Sequence, residues 1–409
     1  MIKIITTGII VEDNFGCPSI LHGVEELLTT LYGNEYELIN YQTTQFSAIS
    51  ISDLNFKTVK ITARKKKILI DAIKDKLGFK SKNPKIRELL DNIKSADVVI
   101  DLYGICFCDN FVKDKYTFSK MTKRVLGEFW LLFLAKIYNV KTAKNTSSFG
   151  PMNNKINYKS ANFACKYIFD VISAREQKSR EMLIKNAKVK NEILISPDIA
   201  NLMKYTDIQS TKERHVGISV SHQIIKQWRA QENYIDCMVK LCKHIKNNYA
   251  VPIVLIPNEC QNSRYNDVDV SKDIKKVLNE TGINVDILDV VNKSSTAVKN
   301  CIASCEIMIA SRYHSCVASL SSGVPLLVLG WHYKYDELLH WYGQDKWILS
   351  EKECTIEKLI SAFDLLWENR FKERILISSR FPAVRQAVID TGKQIFSKKR
   401  VKQWIYKLL

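Results

Sequence analysis

Arg312 and His314 are the residues whose types and spacing point most directly to chemistry. They follow a short apolar run at 307–310, with Ser311 between. A guanidinium can grip a carboxylate or phosphate through two parallel hydrogen bonds, and an imidazole two positions on could donate a proton or hydrogen bond to the same ligand. Ser311 reads as the N-cap of the following helix, so both side chains fall in its first turn. There the free amides favour an anion by up to about 2 kcal/mol. Gly323 permits the tight turn into a second apolar run from Val324. Cys316 lies too deep in the helix to be an obvious nucleophile. Strand, helix start with cation and imidazole, helix, strand: this pattern builds an anion pocket at the carboxyl edge of a parallel sheet. The ligand class is a small phosphorylated or carboxylated molecule, and the protein class an enzyme.

Other polar residues sit at comparable places. Asp13, Asn14, Gly16 and Cys17 occupy the loop between a strand at 3–10 and a helix at 20–31, which Pro18 can open. Such a loop can offer backbone amides to an anion or a sugar hydroxyl. Its single glycine does not make a dinucleotide fingerprint or a P-loop. Asp101 ends the apolar run 96–102, just before Gly104, while Arg175 and Asp198 close the runs 171–174 and 193–197. If these strands are parallel, all three residues line one crevice. Each also reads as a cap or an interdomain salt bridge.

The elements that must hold these residues alternate buried strands with amphipathic helices, an α/β pattern. A chain of 409 residues exceeds what one core supports. A polar stretch at 205–214 divides it, giving an expected N-terminal domain at 1–205, a C-terminal Rossmann-like domain at 206–375, and helices at 376–409 returning to the first domain. The spacing predicts one apolar core helix over 119–138, and separate helices at 355–367, 371–378 and from 380 to the end.

Lys and Arg outnumber Asp and Glu by 61 to 43, a net charge of +18 that favours anionic partners without choosing among them. The excess is spread along the chain, without a zinc-finger spacing or an aromatic-interleaved platform, so no specific nucleic acid is expected. Eleven dilute cysteines without paired C-x-x-C elements read as reduced core thiols of a cytoplasmic protein. No metal-ligand cluster is visible. The opening apolar run is too short for a signal peptide, and no span of eighteen apolar residues occurs, so the expectation is a soluble or peripheral protein. In the last helix Val401, Trp404, Ile405 and Leu408 form a stripe beside Lys398, Lys399, Arg400, Lys402 and Lys407. That face suits either an anionic membrane surface or packing on the first domain.

Several segments together resemble the polysaccharide pyruvyl transferase family. SRYHSCVASLSSGVPLLVLG is similar to the family signature S-R-x-H followed by L-x-x-G-V-P, and DNFGCPSI to its amino-terminal loop. SSFGPM, SAREQKS and SPDIA match its S-x-G-P, S-x-R-E and P-D elements. The resemblance implies two Rossmann-like domains facing a cleft, in a glycosyltransferase-B-like architecture. It also implies transfer of pyruvate from phosphoenolpyruvate to a saccharide hydroxyl pair, forming a ketal in cell-surface polysaccharide synthesis, with no cofactor beyond that co-substrate. Arg312 and His314, with Ser311, would lie in the donor pocket, and Arg175 and the Asn14–Cys17 loop would face them. Asp13, Asp101 and Asp198 are acceptor-side base candidates. Asn258 stands where the family often has histidine, leaving Glu259 and Asp267 as the polar groups nearby. The acceptor could be lipid-linked at the inner face of the membrane. Two other readings stay open: glycosyl transfer from a nucleotide sugar, and non-catalytic binding of acidic glycan or nucleic acid. Replacing Arg312 with alanine is expected to cost donor affinity and rate while leaving folding largely intact.

Overall fold

The computed structural model describes residues 1–11, 14–43, 53–111, 115–206, 214–260, 265–290 and 293–397. Asp13 and the basic striped tail (Lys398, Lys399, Arg400, Val401, Lys402, Trp404, Ile405, Lys407 and Leu408) lie outside the described residues.

The N-terminal lobe is built on β1 (Ile2–Thr7), β2 (Tyr36–Thr43), β3 (Lys57–Ile61), β4 (Val98–Asp101), β5 (Ile105–Cys106), β6 (Lys141–Phe149), β7 (Val171–Ala174) and β8 (Leu194–Ile195). Their order is β3-β2-β1-β4-β6-β7-β8, with β5 beside β6. The C-terminal lobe holds β9 (His215–Ser219), β10 (Ile253–Leu255), β11 (Asp286–Ile287), β12 (Cys305–Ala310), β13 (Leu326–Gly330) and β14 (Ile348–Ser350), in the order β11-β10-β9-β12-β13-β14. The pairings are parallel in both sheets. The protein is therefore α/β, with two Rossmann-like units in a glycosyltransferase-B-like arrangement, as expected.

The reason is visible in the strands. β12 and β13 are buried at every residue, because helices cover both faces of a parallel sheet, so CEIMIA and LLVLG are nearly continuous apolar runs. The edge strand β3, KTVKI, is only partly covered and too polar to announce itself in the sequence. β14 is likewise a half-buried edge strand. Strand order reverses between β1 and β4 in one sheet and between β9 and β12 in the other, the switch points at which open α/β sheets leave a ligand crevice.

Local differences from expectation have local causes. The helix containing Pro18 starts at Gly16, because Asn14 Oδ1 accepts the N–H groups of Gly16 and Cys17 at 2.9 and 3.2 Å. The apolar helix expected over 119–138 is two helices, Phe118–Glu128 and Trp130–Ile137, broken at Phe129 with φ −106° and ψ 32°. The expected separate C-terminal helices are one 41-residue helix, Ile356–Phe396, that runs through Pro382. A proline costs about 3 kcal/mol inside a helix, and packing offsets it. Ile377, Val384, Val388 and Phe396 join an apolar cluster that also contains Leu21, Val24 and Leu27 of the first lobe and Met308 and Leu320 of the second. Gly392 packs closely there: a Cβ would come within 2.7 Å of the Leu27 methyls, which would have to shift. Among the described residues no disulfide joins the cysteines, and no helix is long and apolar enough to cross a membrane.

Candidate functional site

The loops leaving the two switch points meet. Asn14 forms an antiparallel bridge with Glu259, and Phe15 N–H donates to the Asn258 carbonyl at 3.2 Å. Asn258 itself reaches Ser315 Oγ at 3.4 Å. His314, from the helix after β12, lies against Gly16 so closely that a Cβ there would be 2.2 Å from His314 Nδ1. Gly16 is thus required by close approach, not by backbone conformation. Asn14, Gly16, Glu259 and His314 are brought together, with half-buried Cys17 beside them.

Arg312 has taken partners. Its Nε donates to Asp267 Oδ2 at 2.7 Å, and Nη2 donates to Asp267 Oδ1 at 2.6 Å and Glu259 Oε2 at 2.8 Å. His222 Nδ1 lies 3.0 Å from Nη2 and 3.1 Å from Asp267 Oδ1. Asp267 also accepts the backbone N–H groups of His222, Asn258 and Glu259. Burial alone would raise this carboxyl, yet the Arg312 charge and the His222 and Arg312 bonds hold it at about 2. Two carboxylates face one guanidinium, so this network has no surplus positive charge. Only Nη1 of Arg312 is outside these bonds.

Ser311 is not the cap. The N-cap residue of the helix Tyr313–Ser321 is Arg312, with no side-chain cap bond. Ser311 Oγ instead lies 3.1 Å from the Tyr234 hydroxyl, its carbonyl accepts from the Tyr335 hydroxyl at 3.0 Å, and the residue is buried. Its position after the strand end is right, but its polar groups are spent holding the strand exit.

Arg175 and Asp198 form a buried pair. Nη1 donates to Asp198 Oδ2 at 2.6 Å, and Nη2 donates to the Gly104 carbonyl at 2.7 Å and Ser148 Oγ at 2.8 Å. Asp198 Oδ1 accepts from Ala200 N–H at 2.9 Å, capping a short 3-10 turn. The guanidinium lies 4.5 Å from the Tyr313 ring centre, across the lobe interface. Its Nε makes no hydrogen bond among the described residues but lies 3.5 Å from the buried Glu176 Oε1, a second ion pair. Asp101 is also buried, bound by Lys144 Nζ at 2.6 Å beneath Gly8, where a Cβ would come within 2.5 Å of Oδ2. Both aspartates pair with a buried cation, and Asp101 borders an open crevice.

His314 behaves differently. Its Nε2 is 3.8 Å from Asp198 Oδ2, too far for a hydrogen bond, and has no other acceptor among the described residues. Burial first, then the Arg175, Lys334 and Arg312 charges, push the imidazole down to about 4 against the pull of Asp198, so it is neutral at neutral pH.

Sequence reasoning passed over the segment after β13, Trp331–His332–Tyr333–Lys334. Lys334 is only 7% exposed, and among the described residues its Nζ has no hydrogen-bond or carboxylate partner. It sits 5.2, 5.0 and 5.3 Å from the ring centres of Tyr313, Trp331 and Tyr335. Burial, then repulsion from Arg175, outweighs the attraction of Glu176 and brings the ammonium down to about 7. His332 Nε2 is likewise buried without an acceptor among the described residues. Burial and the neighbouring cations lower that ring to about 3. Lys334 and Arg175 share one ring, that of Tyr313. The signal that could have found this group is positional: β13 is the strand beside β12, and its carboxyl end faces the same way.

A family model described as polysaccharide pyruvyl transferase matches residues 115–333, more than half of the chain. The chain belongs to the polysaccharide pyruvyl transferase family. No curated protein matches the sequence. Its fold is similar to that of an S. aureus MnaA–UDP co-structure, at 13% identity and TM-score 0.58 over 98% of each chain. A UDP-N-acetylglucosamine 2-epimerase described as putative, from Listeria monocytogenes, is similar at 10% identity and TM-score 0.57, covering 98% of this chain and 99% of that one. A glycosyltransferase from Rickettsia africae is similar at 11% identity and TM-score 0.53, covering 97% of this chain and 99% of that one. Family and architecture together make the protein a sugar-acting enzyme on a glycosyltransferase-B-like fold. The family match ends at Tyr333, so Lys334 is the first residue beyond it.

Proposed function

We propose that this protein transfers the pyruvyl group of phosphoenolpyruvate to two hydroxyls of a saccharide, forming a cyclic ketal. The observation that carries the reading is a buried ammonium with no counter-ion among the described residues, Lys334, close to two buried ring nitrogens without hydrogen-bond partners among them, His314 Nε2 and His332 Nε2. An unpaired buried charge costs several kcal/mol, and unpaired buried donors cost about 1–3 kcal/mol each. A small dianion supplies the missing charge and the missing acceptors together. Phosphoenolpyruvate, whose carboxylate and phosphate are both borne by C2, suits such a compact site.

The chemistry follows from that charge. Protonation of the enol methylene, for which we assign Lys334 as the acid, makes C2 electrophilic. A sugar hydroxyl adds to C2 and gives up its proton, for which we assign neutral His314 as the acceptor. The C2–O bond to phosphate then breaks with its electron pair on phosphate, and the second hydroxyl closes the ketal and releases its proton. Inorganic phosphate is the second product. Fixed positive charge lowers the cost of the departing phosphate, the kind of electrostatic stabilisation that dominates many rate accelerations.

The rival is glycosyl transfer, with the same cations holding the diphosphate of a nucleotide sugar, which the fold shared with the UDP-bound S. aureus protein admits. Carbon-labelled phosphoenolpyruvate separates the two. Label entering a glycan, with one phosphate released per pyruvyl group, supports pyruvylation. Label confined to free pyruvate, with sugar incorporated only from a nucleotide donor, would overturn it.

A further inference from the structure

A second crevice opens at the switch point of the N-terminal sheet. Gly8 follows β1, Asp101 ends β4, and Tyr103, Ile105, Phe107, Cys108, Arg124 and Glu128 complete a space of about 340 Å3. That volume lies at the lower end of small-molecule sites. We infer that this crevice is the seat of the acceptor saccharide ring, with Tyr103 as the face on which the ring stacks and Glu128 and Arg124 as partners for its hydroxyls. The inference rests on the pyruvyl-transfer reading for the word acceptor, and on the crevice alone for saccharide binding.

Three observations carry it. Tyr103 is 47% exposed although its backbone is pinned from both sides. Its N–H donates to Asp101 Oδ1 at 3.1 Å, and its carbonyl accepts from Lys144 Nζ at 2.7 Å and Ser147 Oγ at 2.6 Å. A rigid, half-exposed aromatic ring at a crevice mouth is the element that binds the C–H face of a pyranose. Second, Arg124 Nε and Glu128 Oε2 are 3.7 Å apart, a loose pair. Arg124 Nη1 donates to Asn157 Oδ1 and Glu128 is bonded by the Cys106 thiol, and a guanidinium and a carboxylate each have capacity beyond these bonds. Burial, opposed by Arg124, raises the Glu128 carboxyl above its usual range. Sugar hydroxyls can both donate to a carboxylate and accept from a guanidinium, so one ring satisfies both. Third, the crevice adjoins the uncompensated cation. Gly104, the residue after Tyr103, gives its carbonyl to Arg175 at 2.7 Å, and the crevice residue Cys108 feels the charges of both Arg124 and Lys334. A ring held on Tyr103 would present an edge toward the proposed donor.

The test uses the full-length protein without phosphoenolpyruvate. Methyl glycosides of glucose, galactose and mannose are followed by saturation-transfer NMR at millimolar concentration. At least one should receive saturation, with binding weakened about fivefold in Tyr103→Ala and in Glu128→Gln and retained in Lys334→Ala. Phosphoenolpyruvate binding by calorimetry should survive Tyr103→Ala, and circular dichroism should report unchanged folding for both crevice variants. No saturation of any glycoside, or undiminished transfer in both crevice variants, overturns the inference. Glycoside binding together with no binding of phosphoenolpyruvate to the unmodified protein would sink the donor assignment and leave the saccharide crevice standing.

Discussion

Arg312 and Lys334 stand at the carboxyl ends of adjacent strands and carry the same charge, yet their surroundings are opposite. Arg312 is enclosed by Asp267 and Glu259 and beside His222, whereas Lys334 is enclosed by aromatic rings and pairs with no carboxylate among the described residues. A paired buried ion contributes mainly by not being left alone, since removing one partner strands the other. An unpaired one weakens the empty protein and keeps its charge for a ligand. The lesson is that the cation most conspicuous in sequence is already paired within the protein, whereas the less conspicuous one has no carboxylate partner among the described residues.

The sharpest way to break this contrast is Arg312→Ala. It strands Asp267 and Glu259 in the interior and should cost about 3–5 kcal/mol of stability, read as a shift in denaturant midpoint. The sequence alone suggested that folding would survive this change; the ion network reverses that expectation. A loss below about 1 kcal/mol would mean that the network is not what holds the strand exit. Lys334→Met should do the converse, lowering turnover about 100-fold or more while leaving thermal stability unchanged or raised. Loss of stability with intact turnover would exchange the roles given to the two cations.

Gly16→Ala forces a methyl onto the His314 imidazole, 2.2 Å from Nδ1. Overpacking of this kind costs about 1–3 kcal/mol, and turnover should fall further than donor affinity, because the ring moves while the ammonium stays. Equal losses in both would detach His314 from catalysis.

The smallest effect is a pH profile. Burial brings the Lys334 ammonium down to about 7, so phosphoenolpyruvate affinity should fall as pH rises through that value, and binding below it should need less proton uptake. Lys334→Arg, charged throughout, should flatten the profile in calorimetry. For stability the sign is opposite. This lysine binds fewer protons folded than unfolded between about 7 and its ordinary value near 10.4, so its contribution improves as pH rises across that window.

Much of the scaffold was legible because it rests on local patterns. The runs at 171–174 and 307–310 became β7 and most of β12, since apolar segments of that length bounded by turns have few other fates in an α/β chain. The contact of Asn14 and Gly16 with the second lobe agreed with their place after β1. The break at Phe129 and the passage of one helix through Pro382 did not show, because tertiary packing outweighed local propensity at both. Lys334 did not show because a lysine in WHYKYDE looks like any surface lysine until three rings close over it.

From its own order of apolar runs, glycines and strand-end polar residues, the chain determined two parallel sheets, the segments that face each other between them, and the family to which it belongs. Only the folded molecule decided which of those polar residues are already neutralised. Asp267 reaches Arg312 across 45 positions of sequence, and no carboxylate pairs with Lys334 among the described residues. Charge compensation depends on distances and dielectric in space, and a one-dimensional pattern carries neither.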